Sequence, residues 1–298
     1  MEIGRLLTAM VTPFDEEGRV DYQQAQRLAL ALLDSGSDGV VVTGSTGEAP
    51  TLSHEEKVRL WAEVKRAVGQ RGAVVAGAST YDTAESCELA REAEKVGADG
   101  LLLTVPYYNK PSQEGLFRHF QAIAASTSLP CIPYNVPGRT SVNMAAETTL
   151  RLAQIDNIIG VKEASGDLVQ VGRIIAGAQP GFRVWSGDDQ LTLPILAIGG
   201  YGVVCVVSHL AGRQMQEMIQ AHLAGRVQEA AAIHQRLLPL MNVLMTASTN
   251  PTPVKHALNR VGFRVGKPRL PLVEPEGAAA ELIVDTLRQQ QIDLPVTV

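Results

Sequence analysis

Val74-Val75-Ala76-Gly77 and Gly100-Leu101-Leu102-Leu103-Thr104 bracket a stretch from Thr83-Ala84-Glu85-Ser86 to Val96, in which Leu89, Ala93 and Val96 recur at helical spacing. Gly97 ends that stretch, and Ala98-Asp99 leads into the second apolar run. Neither run alternates polar with apolar residues, as a strand with one wet face would. Strands buried on both faces read this way, and two of them joined through a helix are parallel.

The same unit repeats along the chain. Apolar runs at Leu6–Val11, Gly39–Thr43, Val74–Gly77, Gly100–Thr104, Cys131–Tyr134, Ile158–Lys162, Phe182–Ser186 and Gly202–Val207 are separated by helical segments. Ser53-His54-Glu55-Glu56 has the capping-box arrangement ahead of Val58, Leu60 and Trp61, and Ser112 opens another helix before Leu116, Phe117 and Phe120. Eight strands alternating with helices make either a doubly wound sheet or a closed parallel barrel. The count of eight and the lack of a break favour the (β/α)8 barrel, an α/β fold. Residues 1–224 are assigned to it. Residues 225–298 are assigned to a C-terminal helical region, with helices expected over Val227–Met245, Pro253–Val261 and Gly277–Gln290.

Composition narrows the functional classes. The 298 residues are 45% hydrophobic and 19% charged, with a net charge of −5, which fits a large core and opposes a general nucleic-acid binder. Cys87, Cys131 and Cys205 are scattered and form no CxxC pair, as expected of reduced thiols in the cytoplasm. The first residues lack a basic leader and no apolar run is long enough to span a bilayer, so neither targeting nor membrane insertion is expected. His54, His119, His209, His222, His234 and His256 have no metal-ligand spacing, and no phosphate-binding or dinucleotide glycine motif is present. No metal and no cofactor are expected.

A parallel barrel carries its chemistry at the C-terminal ends of its strands. Lys162 ends the run Ile158-Ile159-Gly160-Val161, which would place an ammonium in the barrel mouth. Burial would favour its neutral, nucleophilic form, able to add to a ketone and form a Schiff base. Alternatively it reaches water or pairs with Glu163. Tyr134 ends the neighbouring run and is either a proton relay or a packed, hydrogen-bonded phenol. Gly44-Ser45-Thr46-Gly47-Glu48 offers hydroxyls and backbone N–H groups suited to a carboxylate. Arg139, on the turn Pro137-Gly138, would fork onto a second carboxylate or form a surface ion pair. The acids of Gly187-Asp188-Asp189 read as a helix N-cap.

These stretches together resemble the dihydrodipicolinate synthase family of pyruvate-dependent class I aldolases. The resemblance runs from Thr8-Ala9-Met10-Val11-Thr12-Pro13-Phe14 to Asn250-Pro251-Thr252-Pro253-Val254-Lys255. It includes Pro106-Tyr107-Tyr108-Asn109-Lys110-Pro111 and Tyr134-Asn135-Val136-Pro137-Gly138-Arg139-Thr140. It implies a lyase that joins pyruvate to aspartate semialdehyde in lysine biosynthesis. Lys162 would form the imine. Tyr134, Ser45 and Tyr108 would relay protons, with Tyr108 supplied across a subunit boundary of a homo-oligomer, a tetramer of two dimers. Thr46 would hold the pyruvate carboxylate and Arg139 that of the aldehyde, with the backbone at Gly187 and Val204 lining the site. Ser45 departs from the family's usual threonine, leaving the hydroxyl a freer rotor.

N-acetylneuraminate lyases and keto-deoxy-sugar aldolases share the lysine and tyrosine, but a sugar substrate has no use for Arg139. A non-catalytic binding barrel would not be expected to keep these polar groups. Positions matching the family's lysine-inhibition site are Ala49, His54, Lys57, Tyr81, Glu85 and Tyr107. Lys57 stands where inhibited enzymes carry histidine or glutamate, so its charge is expected to weaken inhibition by lysine.

Overall fold

The computed structural model describes residues 2–295. The termini assigned to the two regions, at 1 and 298, lie outside them. Eight strands, β1 Leu6–Ala9, β2 Gly39–Val42, β3 Ala73–Gly77, β4 Gly100–Thr104, β5 Cys131–Asn135, β6 Gly160–Glu163, β7 Arg183–Ser186 and β8 Gly202–Cys205, pair in order and in parallel. Leu7 against Val204 closes β1 onto β8, so the sheet has no free edge. Around it run α1 Tyr22–Asp34, α2 His54–Val68, α3 Thr83–Lys95, α4 Gln113–Ala124, α5 Pro137–Thr140, α6 Ala146–Leu152, α7 Leu168–Gly177, α8 Thr192–Ala197 and α9 Ser208–Leu223. Then follow α10 Val227–Thr246, α11 Thr252–Arg260 and α12 Gly277–Arg288. This is a (β/α)8 barrel with a C-terminal helical part.

The unbroken apolar runs are explained by two cores. Leu7, Val41, Val75, Leu102, Ile132, Trp185 and Val204 fill the barrel interior, and the alternate residues Leu6, Val40, Val74, Leu101, Cys131, Val184 and Val203 pack outward against the helices. The expected caps form: Ser53 and Glu56 make a reciprocal capping box on α2, and Ser112 caps α4. At α3 the cap is Asp82, one residue before the expected start.

Two boundaries and one capping assignment differ from the sequence reading. β6 begins at Gly160, because Ile158 is still held by a turn bond to Ile155 and makes only an isolated bridge to Cys131. β8 ends at Cys205, two residues before the apolar run does, and the helix that begins at Ser208 is broken at Ala211 (φ −129°). The acids do not cap the adjacent α8, and the Asp189 carboxylate instead holds the loop between β8 and α9. It accepts the Val206 N–H at 3.1 Å and the Val207 N–H at 2.6 Å.

Candidate active site

β5 and β6 carry the central pair. Tyr134 and Lys162 are direct partners in the register, both pointing into the barrel, and the Lys162 Nζ lies 4.0 Å from the centre of the Tyr134 ring. Lys162 is 4% exposed, so it does not reach water. Nor does it pair with Glu163. Adjacent strand residues face opposite sides, and the Glu163 carboxylate points outward to the Asn135 amide at 3.1 Å, the Gln170 amide at 3.2 Å and the Ser165 N–H at 2.7 Å. No described residue gives the Lys162 amine a hydrogen bond or ion pair.

Desolvation therefore decides its protonation. Burial lowers the Lys162 amine to about 7; Asp189 pulls the other way, and the Arg139 guanidinium lowers it further. The same burial pushes the Tyr134 phenol up to about 12, opposed by Arg139 and by a hydrogen bond with Ser45. An amine poised near neutrality beside a phenol that keeps its proton suits nucleophilic addition with a local acid and base.

Gly187, after β7, leaves room for the lysine stem. A Cβ there would stand 3.0 Å from Lys162 Cε and 2.8 Å from the Ala164 Cβ, so a larger residue would displace the amine. Val204 lies in the interior cluster that also holds Tyr134 and Trp185.

At the barrel mouth a cavity of about 230 Å³ is lined by Gly44, Ser45, Ser79, Thr104, Tyr107 and Arg139, among others. Lys162 and Tyr134 are not on its wall; Ser45 and Arg139 connect it to them through their effects on the buried pair. Thr46 is buried, its hydroxyl accepting the Asn250 side-chain N–H at 2.9 Å. Arg139 lies exposed on α5, and its Nη2 donates to the Asn250 carbonyl at 3.3 Å. Tyr108 alone stays apart: it sits at positive φ (73°), is 91% exposed and does not line the cavity.

Several site residues escaped the sequence reading. Ser79 and Thr104 are hydroxyls at the ends of β3 and β4, joined by the Thr104 N–H donating to Ser79 Oγ at 2.7 Å. Asn250 comes from the segment before α11. Behind the hydroxyl loop, Glu48 (φ 57°) accepts the Lys255 amine at 2.8 Å and the Arg269 N–H at 2.9 Å. A polar residue ending a strand run marked Thr104, and Ser79, two residues past its strand, had no such mark. A lysine inside the apolar turn Pro253-Val254-Lys255-His256-Ala257-Leu258 was the available signal for the last group, since such a charge needs a partner.

At the positions matching the lysine-inhibition site, Tyr81 and Tyr107 stack edge to face, 5.3 Å apart. Lys57 is 8% exposed rather than solvated. Burial lowers its pKa, partly offset by Glu85.

Among the described residues no group of three or more His, Cys, Asp or Glu could hold a metal ion, and no helix is long and apolar enough to cross a membrane. Residues 2–290 match the Dihydrodipicolinate synthetase family. A 4-hydroxy-tetrahydrodipicolinate synthase of Dehalococcoides mccartyi is 56% identical over 99% of both chains. The enzyme of that name from Moorella thermoacetica is 57% identical over 97% of this chain and 99% of its own. Among solved structures, dihydrodipicolinate synthase from Cyanidioschyzon merolae with lysine bound superposes with a TM-score of 0.95 at 44% identity, covering 96% of this chain and 98% of that one. By sequence over nearly its whole length and by fold, the chain belongs to the dihydrodipicolinate synthetase family.

Proposed function

We propose that this chain is a lyase condensing pyruvate with L-aspartate 4-semialdehyde to 4-hydroxy-tetrahydrodipicolinate, with net loss of one water, in lysine biosynthesis. The observation that carries the reading is the Lys162 amine: buried, unpaired, lowered to about 7 and set against Tyr134. Its lone pair adds to the pyruvate ketone, and loss of water gives the imine, an electron sink for the adjacent methyl group. The resulting enamine attacks the aldehyde carbon. The aldehyde's own amine then displaces Lys162 from the imine carbon, closing the ring and restoring the enzyme.

Tyr134 and Ser45 handle the protons of these steps, with Tyr108 added from a neighbouring subunit. Thr46 holds the pyruvate carboxylate, Arg139 grips the carboxylate of the aldehyde, and Gly187 and Val204 complete the wall. The exposure of Tyr108 supports its use outside its own chain, in a homo-oligomer proposed to be a dimer of dimers. Purified protein should turn over pyruvate with aspartate semialdehyde and not cleave N-acetylneuraminate or 2-keto-3-deoxy-gluconate. Borohydride with pyruvate should add one reduced pyruvyl group, mapped to Lys162. Efficient cleavage of either sugar acid, or labelling at another lysine, would overturn the reading.

A further inference from the structure

We infer that Asn250, contributed by the C-terminal helical region, is a positioning residue that aims the Thr46 hydroxyl at one substrate carboxylate and the Arg139 guanidinium at the other. This rests on the proposed roles of Thr46 and Arg139. Asn250 is 5% exposed, and its contacts go to those two residues: the side-chain N–H to Thr46 Oγ and the backbone carbonyl to Arg139 Nη2. A hydroxyl has one proton to give. Because Thr46 accepts from Asn250, that proton is free for an acceptor elsewhere, and a carboxylate supplies one.

This direction of the bond leaves the other side-chain atom unpaired. Asn250 Oδ1 is buried without a hydrogen-bond partner. Turning the amide over would let Oδ1 accept the Thr46 proton and relieve that unpaired acceptor, at the expense of the donor that Thr46 would offer to substrate. An unsatisfied buried polar atom calls for a specific reason, and retaining the Thr46 proton for substrate is one. The placement of Asn250 is anchored as well. One helical turn on, Lys255 of α11 bonds Glu48 at 2.8 Å, so the same segment grips the hydroxyl loop at two points.

The test compares Asn250→Asp with Asn250→Ala, alone and in a Thr46→Val background, with melting temperatures measured alongside. Aspartate keeps the shape but only accepts, so it captures the Thr46 proton; alanine merely releases it. Asn250→Asp should raise the KM for pyruvate about tenfold, the effect of one lost charge-assisted hydrogen bond. Asn250→Ala should raise it less. The KM for aspartate semialdehyde should stay within about twofold, since both variants keep the backbone carbonyl that meets Arg139. In the Thr46→Val background neither change should add to the pyruvate effect. A residue that only fills space predicts the reverse order, because the isosteric variant should do less harm than alanine.

A pyruvate KM unchanged by Asn250→Asp, beside one raised by Thr46→Val, would overturn the inference alone. An unchanged pyruvate KM in Thr46→Val would overturn the Thr46 assignment and the inference with it. Should Asn250→Asp fail to fold, the pyruvate dependence of borohydride trapping in Asn250→Ala decides: a half-saturation equal to that of the parent would refute the role.

Discussion

Two of the lysines buried in this molecule, Lys162 and Lys255, each lie about 4 Å from an aromatic ring but differ in their polar partners. Lys162, at the end of β6, has a tyrosine ring for a neighbour and no described hydrogen bond or ion pair. Lys255, in α11, is 1% exposed and fully saturated: its three donors reach Glu48 Oε1 at 2.8 Å and the carbonyls of Thr12 and Lys267, both at 3.0 Å. Burial lowers both amines, Lys162 to about 7 and Lys255 to about 8, where Glu48 works against the shift. What separates the proposed nucleophile from a fastener is therefore the partner set rather than the depth. A saturated ammonium has no lone pair to offer at neutral pH, and an unsatisfied one sheds its proton at modest cost.

The largest effect expected from breaking this contrast is on chemistry. Lys162→Ala should abolish pyruvate trapping by borohydride and lower turnover on the order of four powers of ten, with unchanged circular dichroism. Trapping that persists at Lys255 in this variant would erase the distinction.

The converse change should act on stability. Lys255→Met strands the Glu48 carboxylate in a buried site and should destabilise the fold by about 3–5 kcal/mol in urea titration. The double variant Glu48→Gln with Lys255→Met should recover most of that loss, and Lys162→Met should show none of it. Equal stability losses for the two methionine variants would mean that the pair has no special standing.

A pH series sharpens the comparison. The reactive form of Lys162 is neutral, so the rate of imine formation should be flat above about pH 7 and fall about tenfold per unit below it. Arg139 helps hold this amine down, so Arg139→Ala should move the midpoint upward while raising the KM for the aldehyde. A midpoint near 10 in the parent would contradict the desolvated amine.

The smallest effect concerns Lys57, which is buried like the other two but meets Glu85 only through its field. Following the family resemblance, millimolar lysine should inhibit weakly, and Lys57→Gln should tighten lysine binding by about tenfold after screening. Tight binding by the parent, measured calorimetrically, would show that this charge does not control the site.

Much of the barrel was legible because each strand is a short run of apolar residues with no alternation, and helices α1 to α4 and α7 carry their own side-chain caps. Lys162 was legible for a related reason, being a charge that ends such a run. Contacts made at a distance left no local trace. Asn250 meets Thr46 over 204 positions, and Lys255 meets Glu48 over 207. Windows of ten or twenty residues contain one member of each pair and nothing of the other. For the same reason nothing local in residues 225–298 signalled that Asn250 and Lys255 reach the hydroxyl loop at the barrel mouth.

That long reach also sets a schedule. On a ribosome adding about 5–20 residues per second, Glu48 emerges roughly 10–40 s before the lysine that will neutralise it. Until then its carboxylate belongs in water, and the loop bearing Ser45 and Thr46 has only nearer bonds to hold it, such as that from the Thr12 hydroxyl to the Gly47 carbonyl at 2.6 Å. A barrel could close in that interval and still be unable to bind substrate. The last contacts to this loop are thus made late in synthesis, by a segment outside the barrel, so that a chain released before α11 would lack its grip on the loop proposed to receive pyruvate.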